Sequence, residues 1–195
     1  MISQHDFDVS IENRLIYLFN DDGDDGSISP KTAVRFIKNL DILESSSSEP
    51  ITVKLITSYG GDWWSGLAIY SAIKNSPCYI TAIGYGSVCS ASTIILQAAD
   101  TRLLVRHTDF MFHGGSVSLD QSALSAKATI RNSERGTKTM LDIYADRCQY
   151  GPFFSERGYS LAKVRGYLNT KMKNVGDVWL TCDEAVEMGF VDGII

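Results

Sequence analysis

The stretch "IGYGSVCSASTIILQAAD", residues 83–100, joins an apolar strand-like run to an apolar helix through a cluster of glycine and serine. "CYITAIG" (78–84) ahead of the cluster reads as a strand, and "ASTIILQAA" (91–99) after it reads as a buried helix. Ser87 falls in the glycine-bearing turn, Ser90 at the strand-to-helix transition, and Ser92 inside the helix. A strand feeding a helix through a tight turn is the repeating unit of an α/β fold.

Working outward, the same alternation recurs. "NRLIYLF" (13–19) reads as a first strand, followed by the polar turn "NDDGDDGS". Ser29-Pro30 opens a helix, with Pro in the first turn and Ala33, Val34, Phe36, Ile37, Leu40 and Ile42 on a broad apolar face. "ITVKLI" (51–56) is a strand, "TSYGGDWWSG" a glycine-bearing turn, and "LAIYSAIKNS" a helix ended by Pro77. "RLLVRH" and "DFMFH" are two further strands. The resulting strand–helix series predicts parallel strands with right-handed crossovers and helices on the faces. Asp120 to about Gln149 is a long helix whose apolar residues are sparse: Leu124, Ala128, Ile130, Met140, Ile143 and Tyr144. That pattern is too thin for a fully packed core helix and predicts one that projects outward or serves an interface. "GPFFSERGYS" reads as a loop, 161–172 as a helix, and "VWLTCDEAVEMGFVDGII" as strand, short helix and closing strand.

Composition narrows the function classes. The 195 residues are 44% hydrophobic, enough for one domain with a sizeable core. A net charge of −5 without a basic stripe argues against nucleic acid and anionic membrane as partners. The apolar runs fall well short of the roughly 20 residues of a membrane helix, and the N-terminus does not read as a signal peptide. Cys78, Cys89, Cys148 and Cys182 are scattered, which predicts buried free thiols in a reducing compartment, hence the cytoplasm. No metal or organic cofactor is indicated. Asn20, Asp22 and Asp24 alternate as in a calcium loop. However, the glycine position holds Asp25 and the bidentate acid position holds Lys31, so a solvated turn is expected.

A nucleophilic serine needs a base within hydrogen-bond reach and a carboxylate to orient that base. Of the three histidines, His5 lies in the N-terminal tail and His107 between two strands. His113 ends a strand just before Gly114-Gly115, where α/β sheets place reactive groups. A capped core histidine would suit the same position, and the residues alone leave both readings open. Ser90 is the best-placed serine. At a helix N-terminus the free N–H groups and the dipole favour developing negative charge, and the Ala91 N–H can face an oxyanion. Gly61 offers a second such N–H without an obstructing Cβ. Neither GxSxG, GxxxxGK[ST] nor GxGxxG is present, which excludes the hydrolase elbow and the common phosphate loops.

Four segments in order resemble the ClpP serine peptidases, the proteolytic subunits of Clp proteases. They are Thr57-Ser58-Tyr59-Gly60-Gly61 with Gly66-Leu67-Ala68-Ile69-Tyr70, then Gly86-Ser87-Val88-Cys89-Ser90, then Met111-Phe112-His113, then Asp177 through Ala185 with Gly189-Phe190-Val191-Asp192. The resemblance spans nearly the whole chain. It implies an α/β fold with a ClpP/crotonase-like repeated ββα superhelix core, a single domain over 1–195, and a protruding helical handle at roughly 114–150. It implies Ser90 as nucleophile, His113 as base, Asp177 as orienting carboxylate, and an oxyanion hole from Gly61 and Ala91. An extended substrate would lie beside Gly60 and beside Gly114, Gly115 and Ser116. It further implies unfolded polypeptide substrates, a homo-oligomer of stacked heptameric rings and an AAA+ unfoldase that would bring the ATP. Two alternatives are an inactive ring subunit and an acyl-CoA enzyme of the crotonase fold; no CoA-binding loop is identifiable for the second. Trp63 and Trp64 depart from the family turn and are expected to serve packing or to reshape the substrate groove.

Overall fold

The computed structural model describes residues 8–19, 28–115 and 122–195. His5, the acidic turn at 20–27 and Ser116 lie outside them. The chain opens with β1 (Val9–Ser10), antiparallel to β2 (Leu15–Phe19). The two-residue β1 is too short to leave a sequence signal. Then come α1 (Pro30–Ser46), β3 (Ile51–Ser58), α2 (Trp63–Lys74), β4 (Ile80–Cys89), α3 (Ala91–Ala98) and β5 (Thr101–Leu104). Strands β2 to β5 pair in parallel, as the alternation predicts, and lie side by side in chain order.

Helices α1 and α2 each start where a side chain satisfies a free N–H, whereas α3 has no side-chain cap. The Ser29 hydroxyl accepts from the Thr32 N–H at 3.2 Å, and the Asp62 carboxylate accepts from Ser65 at 2.7 Å. Helix α1 buries Ala33, Phe36, Leu40 and Leu43, a 3-4-3 spacing. Val34 and Ile42, expected on that face, are exposed, because they sit off this narrower stripe. Helix α1 packs on α2 and α2 on α3, forming one continuous layer. Strands β2 and β3 alternate between buried residues (Ile16, Leu18, Val53, Leu55) and more exposed ones (Tyr17, Lys54, Ile56). Helices thus cover one face of this part of the sheet. The other face stays open, with the Lys54 ammonium between the Tyr17 and Tyr85 rings.

Strand β4 is the hub. Its first half pairs with β5 and its second half with β6 (Asp109–Phe112). The turn expected around Ser87 is therefore strand: Ser87 pairs with Asp109 and the chain stays extended to Cys89. Strand β5 stops at Leu104, and His107, in the turn before β6, is exposed at φ 71°.

Helix α4 (Ala123–Cys148) follows, then the short α5 (Pro152–Ser155) inside the expected loop, and α6 (Leu161–Val175). Strand β7 (Val178–Leu180) runs antiparallel to β6, α7 (Cys182–Glu187) starts in a capping box, and β8 (Gly193–Ile194) closes on β5. Helix α4 is two-part. Met140, Leu141, Tyr144, Ala145 and Cys148 are buried, whereas Leu124 and Ile130 are exposed. Under β6, Phe110, Phe112, Tyr144 and Phe190 form an aromatic cluster with centroids 4.9–5.6 Å apart. All four cysteines are buried and free. Among the described residues, no helix is long and apolar enough to cross a membrane.

Candidate active site

Ser90 sits between the end of β4 and the first turn of α3. Its backbone is at φ 53°, ψ −125°, a sparsely populated region for a residue with a Cβ. Such a conformation costs about 1–3 kcal/mol and persists only where neighbours fix it. Here the Ser90 N–H donates to the Met111 carbonyl at 2.8 Å, and the Thr93 N–H donates to the Ser90 carbonyl at 3.0 Å. The sharp turn lifts the hydroxyl out of the strand line. Ser90 Oγ lies 2.8 Å from His113 Nε2.

His113 follows directly on β6, and Asp177 directly precedes β7. Phe112 pairs with Val178 in this antiparallel ladder, so the next pair outward is His113 and Asp177. Their side chains meet, with Nδ1 of His113 3.0 Å from Oδ1 of Asp177. A proton on Nδ1, donated to the carboxylate, leaves Nε2 as the acceptor facing Ser90. The imidazole is partly buried and the carboxylate side chain is 60% exposed. Gly176, at φ 80°, ends α6 and turns the chain into β7 at this point.

The Gly60–Gly61 turn stands against the serine. A Cβ on Gly60 would lie 2.7 Å from the Ser90 Cβ and 2.8 Å from the Ala91 nitrogen, and its φ is +91°. Only glycine fits there. On the far edge, the Ile28 N–H donates to the Gly60 carbonyl and the Asp62 N–H to the Ile28 carbonyl, both at 2.7 Å. Strand geometry then turns the intervening Gly61 N–H away from Ile28. The Ala91 N–H, first in α3, has no intrahelical acceptor. Two backbone donors are thus available beside Ser90.

A groove of about 570 Å³ opens over these groups. Ser90, His113, Gly61, Gly114 and Gly115 line it, and a Cβ on Gly114 or Gly115 would meet nothing within 4 Å. Helix α4 supplies a wall that the sequence reading does not include: Asn132, Gly136 and Met140, spaced by four along one helix face. That spacing was the available signal. Trp63 also lines the groove and packs on α4, where a Cβ on Gly136 would stand 3.2 Å from its indole nitrogen. Trp64 is exposed, with the Arg135 guanidinium 5.9 Å from its ring.

The other serines of the cluster are buried. Ser87 Oγ lies 3.1 Å from Cys89 Sγ, and Ser92 Oγ lies 2.6 Å from Ser58 Oγ. Burial pushes the Cys89 thiol up, which keeps it neutral and unreactive next to Ser90. Among the described residues, no group of three or more His, Cys, Asp or Glu is arranged to hold a metal.

The family model for Clp protease matches residues 24–195. An ATP-dependent Clp protease proteolytic subunit 2 of Treponema pallidum is 30% identical over 192 residues, covering 97% of this chain and 85% of that protein. A subunit of the same description from Pseudomonas aeruginosa is 30% identical over 172 residues, covering 87% and 78%. Among solved structures, a mutant of ClpP1 from Listeria monocytogenes superposes with a TM-score of 0.77 at 24% identity, over 95% of this chain and 92% of that one.

Proposed function

The chain belongs to the Clp protease family, and on that premise we propose that it is a serine endopeptidase with Ser90 as nucleophile, His113 as general base and Asp177 as the carboxylate that orients it. The observation that carries this reading is the continuous hydrogen-bond chain Ser90–His113–Asp177, at 2.8 and 3.0 Å. In the forward step His113 Nε2 takes the hydroxyl proton as Ser90 Oγ attacks a peptide carbonyl. The Gly61 and Ala91 N–H groups receive the charge that forms on the carbonyl oxygen. Collapse of the tetrahedral intermediate expels the amine, which takes the proton from His113, and leaves an acyl-enzyme. Water, activated by the same imidazole, then releases the acyl group. Asp177 holds the tautomer and stabilises the imidazolium without taking the proton itself.

Gly60, Gly114 and Gly115 are the backbone against which an extended substrate would lie; the further contact expected at Ser116 falls outside the described residues. Main-chain pairing of that kind tolerates varied side chains and suits unfolded polypeptide. The exposed N-terminal half of α4, within the segment 114–150, would act as the handle of a homo-oligomer. The open sheet face with Tyr17, Ile56 and Tyr85 leaves apolar surface for a second copy to cover. Stacked heptameric rings in the cytoplasm, fed by an AAA+ unfoldase that consumes the ATP, complete the reading. An inactive ring subunit is not favoured, because the hydrogen-bond chain is intact and the relatives are described as proteolytic subunits. Turnover of a fluorogenic peptide by the purified chain, lost in Ser90→Ala with the oligomer intact, tests the assignment. Undiminished turnover by that variant would contradict it.

A further inference from the structure

Beneath the candidate nucleophile runs a chain of buried hydroxyls with one direction. Thr93 Oγ1 donates to the Ser90 carbonyl at 2.5 Å, and the same carbonyl accepts from the Thr93 N–H at 3.0 Å. Thr93 Oγ1 also lies 2.6 Å from the hydroxyl of Tyr144. A hydroxyl has a single proton. Since that of Thr93 is engaged with Ser90, the phenol of Tyr144 must donate to Thr93. Burial holds the phenol well above its ordinary pKa, so it stays a donor. Both side chains are fully buried. The relay starts on α4, passes through α3 and ends on the carbonyl of the strained serine.

That carbonyl shares a peptide plane with the Ala91 N–H. In a trans peptide the C=O and N–H point in opposite directions, so whatever fixes one fixes the other. The plane is also where strain at Ser90 can relax, because rotating it changes ψ of Ser90 and can carry φ 53°, ψ −125° toward the allowed left-handed region. Two donors on the oxygen polarise the peptide and strengthen its N–H as a donor. Resting on the reading of Ser90 as nucleophile and Ala91 as oxyanion donor, we propose that Thr93 and Tyr144 are positioning residues: their relay aims the Ala91 N–H at the oxyanion and ties that aim to helix α4. Neither residue touches substrate. Their effect falls on the transition state, because the ground-state carbonyl depends less on that donor.

The test compares the full chain with Thr93→Val, Thr93→Ser and Tyr144→Phe. It measures acylation by a small fluorophosphonate, kcat and KM on a fluorogenic peptide, and denaturant unfolding. Thr93→Val is expected to slow acylation and kcat by about tenfold, less than outright loss of an oxyanion donor, because the N–H remains but is misaimed. KM should stay within about twofold, since ground-state binding is untouched. Thr93→Ser restores the hydroxyl and should recover most of the rate. Tyr144→Phe keeps the Thr93 donor and should lose about threefold, through lost polarisation and support. The pH midpoint of the rate should not move, because His113 and Asp177 are unaltered. Wild-type rates in Thr93→Val, or equal slowing in Thr93→Val and Thr93→Ser, would overturn the proposal. Where Thr93→Val does not fold, Tyr144→Phe decides, and a wild-type kcat in it would overturn the link to α4. A wild-type chain that is never acylated would overturn the Ser90 assignment itself, and this proposal with it. A wild type acylated no faster than Thr93→Val would overturn this proposal alone.

Discussion

Asp177 leaves more than half of its side chain in water, and that exposure decides how its loss is felt. In Asp177→Ala, water can take the carboxylate's place at Nδ1 of His113. In Asp177→Asn, the amide can donate to Nδ1 and stabilise the wrong tautomer. We therefore expect Asp177→Asn to lose at least as much kcat as Asp177→Ala, with the Asn variant down by about 10²–10⁴. An Asn variant clearly more active than the Ala variant would contradict the orienting role. Gly60 is the other decisive single position. Gly60→Ala places a Cβ within 2.7–2.8 Å of Ser90 and Ala91 at a positive φ. Backbone must shift, and a displacement approaching 1 Å costs about a hundredfold in rate. Fluorophosphonate labelling of this variant checks that; labelling at the wild-type rate would show that the turn has room. Ser90 and the Gly61 turn could be picked out as candidates from the residues, because a helix N-terminus and a turn without a Cβ both offer N–H groups to developing negative charge. His113 was half legible: its place at a strand end was clear, but a core histidine fits there equally. Asp177 was not legible from chemistry, since nothing local distinguishes it from the other acids.

Elements explain what single residues leave open. Asp177 reaches His113 because β7 runs antiparallel to β6 in a register that makes them the next pair beyond Phe112 and Val178. A three-residue strand far along the chain carries no pairing signal of its own. This is why only the family resemblance selected it. The two halves of β4, each with a different neighbour, were hidden for a related reason: glycines inside a strand read as a turn. Helix α4 was legible in part. Its sparse apolar residues predicted a helix that is not fully packed, and its burial is confined to the C-terminal half. That division gives a stability contrast. Leu141→Ala should destabilise by about 2–4 kcal/mol, as a buried truncation does. Leu124→Ala, at a position 82% exposed, should stay within about 0.5 kcal/mol. Urea unfolding of both variants checks this. Equal losses would mean that both halves are packed.

At the scale of the molecule, a buried cation joins the β5–β8 ladder in closing the C-terminal segment onto the sheet. Arg102 is 5% exposed; its guanidinium pairs with Asp192 and donates to the Gln97 side chain and to the carbonyls of Gly189 and Phe190. Burial pushes the Asp192 carboxyl up, but the hydrogen bonds and charge of Arg102 outweigh it, so its pKa lies below the ordinary value. A depressed carboxylate stabilises the fold fully above its unfolded pKa of about 3.9, and that contribution is lost as pH falls through the folded value. Acid unfolding should therefore lose this component below about pH 4. Asp192→Asn should remove it and cost about 2–3 kcal/mol at neutral pH, discounted from a fully buried pair because Asp192 is partly exposed. A neutral-pH stability equal to wild type would contradict this. The α/β class and the parallel pairing of β2 to β5 were legible from alternation, whereas the open sheet face was not, because Tyr and Ile suit covered and uncovered strands alike. The most direct test of the whole account is intact-mass and peptide-mapping spectrometry of the wild-type chain after treatment with a fluorophosphonate. A single adduct on Ser90, absent from Ser90→Ala, is expected. An adduct on another residue, or an unmodified chain, would contradict it.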